Sequence, residues 1–443
     1  MTKIELVPNQ PPAVDPNDDR YWEASDLESE MRRVFEICHG CRMCVGYCGT
    51  FPDVFARVDR AIETRGATGA EQLDAEAFAS ATELCWQCKL CYVKCPYTRD
   101  EGHAWMVDVP RLLMREKAQR ARRNGVTLQD RVLGEPQLLG RMTAGPMARV
   151  ANLVNANRLV RHTMQRAAGI AADFLLPPFG ETSFARWLER HTPLPEAGAR
   201  GTVALFATCL ADYNFPSIAA SAVRVLEKNG WSVVRPEQTC CGMPNLDGGD
   251  LEAARKKARI NVASLVREID RGHRVVSLQP TCGYMMKKEW PQLDRSPDTN
   301  KVAGATVDVM ELLEEQRRDK TLVRDFAKGL GRVAYHASCH LRAQKIGYPA
   351  VRVLGIVPDT EIEVIEHCSA VDGTWGMKAQ HYERGRRYAQ KLVRGIDAAQ
   401  PTTVITDCAL SARRILAETE RAPLHPVEAL AEAYGVAEPS AHP

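Results

Sequence analysis

The sequence predicts an α+β multidomain protein: an α-helical domain built around two cysteine runs, then a helical connector, then two tandem α/β modules. Three observations predict it. Eight cysteines form two identically spaced runs before residue 100; residues 111–168 hold twelve Lys or Arg against three acids; and from Gly201 short apolar strands alternate with helices in an order that occurs twice. Such alternation marks βαβ units on a parallel sheet. The resulting boundaries are an N-terminal extension over 1–30, the cysteine-run domain over 31–109, the connector over 110–200, and modules over 201–325 and 326–443.

Bulk properties exclude several classes. Of 443 residues, 45% are hydrophobic and 26% charged, and no apolar run reaches the roughly 18 residues of a membrane span. The N-terminus MTKIELVPNQPPAVDPNDDRYWE lacks a basic region followed by an apolar one, so a cytoplasmic location is expected. Fifteen cysteines, an odd number, read there as metal ligands and not as disulfides. The net charge is +2; the local +9 of residues 111–168 leaves −7 for the remainder, which marks a basic connector between neutral or acidic domains.

In order along the chain, CHGCRMCVGYC supplies Cys38, Cys41, Cys44 and Cys48, and CWQCKLCYVKCP supplies Cys85, Cys88, Cys91 and Cys95. Both runs are C-x2-C-x2-C-x3-C. This spacing wraps three thiolates around a 4Fe-4S cube and sends the fourth to the other cube. Cys38, Cys41, Cys44 and Cys95 are therefore assigned to one cluster, and Cys85, Cys88, Cys91 and Cys48 to a second. Zinc is the competing metal, but it closes its tetrahedron with two C-x2-C pairs or with histidines. Gly49, not proline, follows Cys48. The 36 residues between the runs include ATGAEQLDAEAFASATE, so a helical two-cluster ferredoxin-type domain is expected in place of a small β-rich one.

The connector begins with a helix near Pro110, a residue tolerated in a first helical turn. Further on, MARVANLVNANRLVRHTMQRAA places Val150, Leu153, Val154, Val160, Met164 and Ala167 near helical spacing, with Arg149, Arg158, Arg161 and Arg166 supplying charge. This basic amphipathic stretch reads either as a helix packing its stripe on a neighbouring domain or as one lying on an anionic membrane surface. No nucleic-acid-binding signature accompanies the arginines.

In the first module, strand TVALFAT leads to Cys209, a helix closes at Gly230, and WSVV leads to TCCGMPN with Cys240 and Cys241. A helix from about Leu251 to Arg271 and strand RVVSL then lead to PTCG with Cys282. In the second, RVAYHAS leads to Cys339, a helix runs to about Leu354, EIEVI leads to Cys368, and HYERGRRYAQKLVRGID and TTVIT lead to Cys408. Intervals of 30 and 41 residues between successive cysteine positions are answered by 28 and 39, an internal repeat. Each cysteine falls past a strand end, the edge where open α/β sheets bind ligands. Gly242 supplies the tight turn beside the adjacent thiols. In register, Cys368 answers Cys240, Ser369 answers Cys241, Ala370 answers Gly242, and Ser411 answers Met285.

On KCPYTRDEGHAWMVDVPRLLMREKA, TCLADYNFPSIAA, TCCGMPN, PTCGYMMKKEWP, YHASCHLRA and GTWGMK, the sequence resembles the CCG-domain iron-sulfur oxidoreductases, over nearly its whole length. That family includes heterodisulfide reductase subunits and the iron-sulfur subunits of glycolate and lactate oxidation systems. The resemblance implies two 4Fe-4S clusters in front and a further iron-sulfur cluster in the modules. It also implies electrons passing between a flavoprotein dehydrogenase of the glycerol-3-phosphate dehydrogenase type and quinone, at the inner face of the membrane. Cys209, Cys240, Cys241 and Cys282 are the candidate ligands of the first module, and Cys339, Cys368 and Cys408 those of the second. The second departs from the family where Ser369 and Ser411 stand, since a hydroxyl keeps its proton at neutral pH. His336, His340, His367 and His425 are weaker candidates, as histidines at strand ends are more often hydrogen-bonded. With no G-x-G-x-x-G after a strand, a partner must collect the substrate electrons. The competing readings are a heterodisulfide or thiol-disulfide reductase, an electron donor to a soluble peroxide- or oxygen-reducing metalloprotein, and a zinc scaffold.

Overall fold

The computed structural model describes residues 4–371 and 373–437, in two compact units: the chain up to Arg131 with Asn245–Leu251, and Val132–Pro244 with the chain from Glu252 onward. The connector is thus apportioned between them.

The first unit is helical, with no strand among its described residues: α1 (Ala24–Cys41), α2 (Thr50–Arg65), α3 (Ala75–Glu83), α4 (Leu90–Lys94) and α5 (Val109–Asn124). Asp74 and Asp108 cap α3 and α5 through their side chains, and Pro110 sits in the first turn of α5 as its missing N–H allows. Met31, Val34, Phe35, Val54, Val58, Ala81 and Leu113 form the core, each buried aliphatic or aromatic side chain contributing about 1.5–3 kcal/mol. Within the helix-favouring stretch ATGAEQLDAEAFASATE, a short 3-10 turn over Ala70–Gln72 precedes α3.

Short helices α6 (Leu128–Leu133), α7 (Pro136–Thr143), α8 (Ala148–Ala156), α9 (Arg158–Ala168) and α10 (Phe184–Arg190) follow. The amphipathic stretch is two helices, because Asn157 turns its side chain onto the N–H groups of Leu159 and Val160 and starts α9 afresh. Its stripe is not packed away: Val150, Leu153 and Val154 are exposed.

The first module comprises β1 (Gly201–Phe206), α11 (Thr208–Tyr213), α12 (Pro216–Lys228), β2 (Trp231–Val234), α13 (Met243–Asp247), α14 (Leu251–Asp270), β3 (Arg274–Ser277), α15 (Pro280–Tyr284), α16 (Trp290–Leu293), α17 (Pro297–Ala305), β4 (Thr306–Asp308) and α18 (Val309–Arg318). Its parallel sheet runs β2-β1-β3-β4, with Val203 opposite Val233 and Arg274. The second comprises β5 (Gly331–His336), α19 (Cys339–Ala343), α20 (Pro349–Leu354), β6 (Thr360–Ile365), α21 (Ala379–Ala399), β7 (Thr403–Thr406), α22 (Ala409–Thr419) and α23 (Pro426–Tyr434), its parallel sheet running β6-β5-β7. The expected helix from Cys339 to Leu354 is broken where Lys345 and Gly347 take left-handed conformations and Pro349 restarts it. One core joins the modules: Leu205 and Val276 of the first share it with Val333, Tyr335 and Leu430 of the second.

Candidate functional site

The candidate thiols lie in helices and in the turns that flank helices or follow strands. In the front unit Arg42, at φ 54°, ends α1 after Cys41, its N–H bonding the Cys38 carbonyl at 2.8 Å. Left-handed Gln87 and Lys89 reverse the chain around Cys88, and Cys95 follows α4. The runs interleave around two hollows. One is lined by Cys38, Cys41, Cys44 and Cys95 among Phe51, Phe55 and Val107; the other is lined by Cys48, Cys85, Cys88 and Cys91 beside Trp86 and Leu113, with Cys91 bordering both. The fourth cysteine of each run therefore joins the first three of the other.

These hollows oppose bare thiolates. Burial, reinforced by the other thiols of its set, pushes Cys38 well above the usual thiol range, and burial holds Cys44 and Cys85 up to about 12. Cys91 is raised for the same reason. A cationic core among four sulfurs removes that penalty, so the residues fit a cluster of positive iron. Gln87 directs its backbone N–H (3.4 Å) and side-chain amide (3.5 Å) at Cys85 Sγ, outer hydrogen bonds of the kind that tune an iron-sulfur centre.

In the first module Cys209, Cys240, Cys241 and Cys282 come together. Cys209 and Cys240 sulfurs are 4.0 Å apart, and Cys241 is hydrogen-bonded to both Cys240 and Cys282. Cys240 is the thiol whose anion the surroundings favour, through hydrogen bonds from Cys209 and Cys241, the Gly242 N–H, and nearby Lys257. Gly242 has φ 92°, and a β-carbon there would stand 3.2 Å from the Ala254 backbone; both facts require glycine. Three residues without a spacing signature complete the set. Gln137 Oε1 accepts the Cys240 N–H (2.6 Å) and the Thr239 hydroxyl (2.5 Å), Trp290 Nε1 donates to the Cys241 carbonyl (2.9 Å), and Lys257 pairs with Glu135 at 2.8 Å. Gln137 lies 103 residues before Cys240, and no local pattern in the chain announces it.

The second module keeps the turn, with serines at two of the corresponding positions. Ala370, at φ 49°, directs its N–H at Cys368 Sγ (3.2 Å) as Gly242 does toward Cys240. Ser369 and Ser411 are buried and hydrogen-bonded to each other at 2.9 Å. Cys339 opens α19, and Cys408 precedes α22. The histidines serve hydrogen bonds: His336 meets Thr406 (2.8 Å), His340 meets Thr281 (2.9 Å), and His425 caps α23 and reaches the Leu278 carbonyl (2.9 Å). His367 is exposed.

Comparison with known proteins agrees with this layout. Residues 203–287 and 333–410 match the "Cysteine-rich domain" and residues 31–123 the "Citrate utilization protein B Fer4-like domain". The C subunit of the anaerobic glycerol-3-phosphate dehydrogenase of Escherichia coli (strain K12) is 28% identical over 316 residues, 69% of this chain and 77% of that protein. Lactate utilization protein A of Bacillus pumilus (strain SAFR-032) is 32% identical over 183 residues, 40% of this chain and 75% of that protein. Its counterpart from Exiguobacterium sp. (strain ATCC BAA-1283 / AT1b) is 31% identical over 188 residues, 40% and 74%. With a Fer4-like domain in front and the cysteine-rich domain twice behind it, the chain belongs to the CCG-domain iron-sulfur oxidoreductase family.

Proposed function

We propose that the chain is the iron-sulfur electron-transfer subunit of an oxidoreductase complex, working between a flavoprotein dehydrogenase of the glycerol-3-phosphate dehydrogenase type and the quinone pool. The carrying observation is the interleaving of the two front runs around two apolar hollows. Cys38, Cys41, Cys44 and Cys95 would hold one 4Fe-4S cluster and Cys48, Cys85, Cys88 and Cys91 the other. Cys209, Cys240, Cys241 and Cys282 would hold a further one, and Cys339, Cys368 and Cys408 are the remaining candidate ligands. A bound cluster accepts and returns single electrons. The protein's part is to bury it, orient its thiolates and direct N–H groups at sulfur. The similarity to one component of a glycerol-3-phosphate dehydrogenase supports a flavoprotein partner.

The membrane side of the reading rests on α7 to α9. Leu138, Met142, Met147, Val150, Leu153 and Leu159 are exposed, Leu159 at 80%, alongside exposed Arg141, Arg158 and Arg166, while Arg149 pairs with Glu181 at 2.8 Å. Apolar side chains rimmed by cations suit the interface of an anionic bilayer. Among the described residues no helix is long and apolar enough to cross one. The chain would then lie peripherally, on the inner face of the cell membrane.

Anaerobic iron and sulfide quantification with electron paramagnetic resonance tests the first part. The front clusters alone predict about eight irons per chain and an occupied first module clearly more; a redox-silent, iron-free protein would refute it. Flotation with phosphatidylglycerol vesicles tests the second: the parent should float and Leu153→Asp/Leu159→Asp should not, whereas a parent left at the bottom would sink the membrane reading.

A further inference from the structure

Four successive residues leading to Cys282 are each held by the second module. His425 Nε2 donates to the Leu278 carbonyl at 2.9 Å, and the Ala409 N–H to Gln279 Oε1 at 3.2 Å. The Gln344 amide donates to the Pro280 carbonyl at 3.1 Å, and His340 Nδ1 meets the Thr281 hydroxyl at 2.9 Å. Beyond Cys282, the Tyr284 ring stacks on His340 with centroids 5.2 Å apart and planes 19° off parallel. His340, Gln344 and His425 are all buried. The donor at His425 is defined by its other nitrogen: Nδ1 accepts the Val427 N–H (3.3 Å), so Nε2 carries the proton.

These bonds satisfy polar groups of a largely buried segment, and all converge on the turn into α15, the helix that presents Cys282. Two of the four come from residues beside the second module's own thiols, since His340 follows Cys339 and Ala409 follows Cys408. In the same module Ser369 and Ser411, in register with Cys241 and Met285, satisfy each other.

We propose that the second module is a brace for the first: His340, Gln344 and His425 are positioning residues that fix the turn into α15 and the first turn of that helix, which carries Cys282. Through that segment they set the geometry of Cys209, Cys240, Cys241 and Cys282. The spectroscopic consequence, though not the brace itself, rests on the reading of those four thiols as a cluster site.

The test uses the anaerobically purified full chain and two pairs of variants. His340→Ala removes the bond to Thr281, and His340→Asn restores a nitrogen near the Nδ1 position. His425→Asn keeps an N-cap acceptor for α23 but is too short to reach Leu278, and Gln344→Leu removes the amide. Hydrogen exchange of the peptide 278–284 should quicken about fivefold in His340→Ala, His425→Asn and Gln344→Leu, the effect of one lost hydrogen bond, and return toward the parent rate in His340→Asn. The paramagnetic line abolished by Cys209→Ser should shift its g-values in His340→Ala and not in His340→Asn, with the front-cluster lines unchanged. Parent-like exchange in all four variants overturns the brace. If Cys209→Ser abolishes no line, the cluster reading of the first module fails while exchange still decides the brace.

Discussion

Gly385 of α21 lies so close beneath Ala370 that a β-carbon on it would stand 2.9 Å from the Ala370 carbonyl oxygen. In the first module the two residue types are exchanged, with Gly242 in the turn and Ala254 of α14 beneath it. Each module thus places one glycine where turn and helix meet, on opposite sides of the contact. The second module accepts a left-handed alanine, at φ 49°, as the consequence.

Ala370→Gly should therefore stabilise the protein by about 1 kcal/mol, by relieving the left-handed alanine. Gly385→Ala should destabilise it by about 1–3 kcal/mol, because the backbone oxygen above cannot move aside cheaply. Urea midpoints at constant m-value measure both, and equal midpoints for the two variants would contradict the exchange.

Restoring thiols at the serine pair should change metal content. Ser369→Cys/Ser411→Cys replaces two hydroxyls, which hold their protons at neutral pH, by groups that ionise far more readily beside iron. After anaerobic reconstitution the double variant should carry more iron and sulfide per chain than the parent. Unchanged content would show that the turn around Cys368 is no longer a ligand frame.

Four buried groups should pull the acid stability in opposite directions. Burial lowers His336 and His425 to about 4, so their contribution is complete above about pH 6.5 and is lost as the pH falls toward 4. Burial raises Asp308 to about 6 and Asp407 to about 7. Their contribution is complete below about pH 3.8 and is lost as the pH rises through 6 to 7. Asp308→Asn keeps a capping oxygen for α18 and removes one of the opposing groups. The variant should be more stable than the parent by about 1–3 kcal/mol at pH 7 and should lose stability as the pH falls. Denaturation profiles across this range decide it, and a variant whose profile runs parallel to the parent's would refute the assignment.

Gln137→Ala should cost about 1–3 kcal/mol, since the buried Cys240 N–H and the Thr239 hydroxyl lose their acceptor together. Gln137→Glu keeps an acceptor and should recover most of the loss by the same denaturation assay.

The local parts of this architecture could be read from the sequence. Cysteine spacing is a covalent property, so the two front runs and the repeat from Cys209 to Cys408 were legible, as were Gly230 and Pro110 at helix ends. The break at Asn157 carried a readable signal, a capping side chain, that a continuous apolar stripe masked. The Pro349 restart was masked in the same way by the expected run to Leu354. What periodicity cannot convey is which surface covers a stripe, and Leu153 and Leu159 are exposed where packing was one reading. Gln137, His340 and His425 act across long stretches of chain, and such pairings exist only once distant segments have packed together.

Trp290 is completely buried with its indole N–H on the Cys241 carbonyl. An indole held against one thiol set is a built-in optical reporter. An iron-sulfur chromophore there would accept its excitation, so emission from Trp290 would dim as the first module fills and brighten as iron is withdrawn. A Trp290→Phe variant, dark at that position, would separate its signal from that of the six other tryptophans. Occupancy of the first module could then be followed in real time by fluorescence, without labels and in dilute solution.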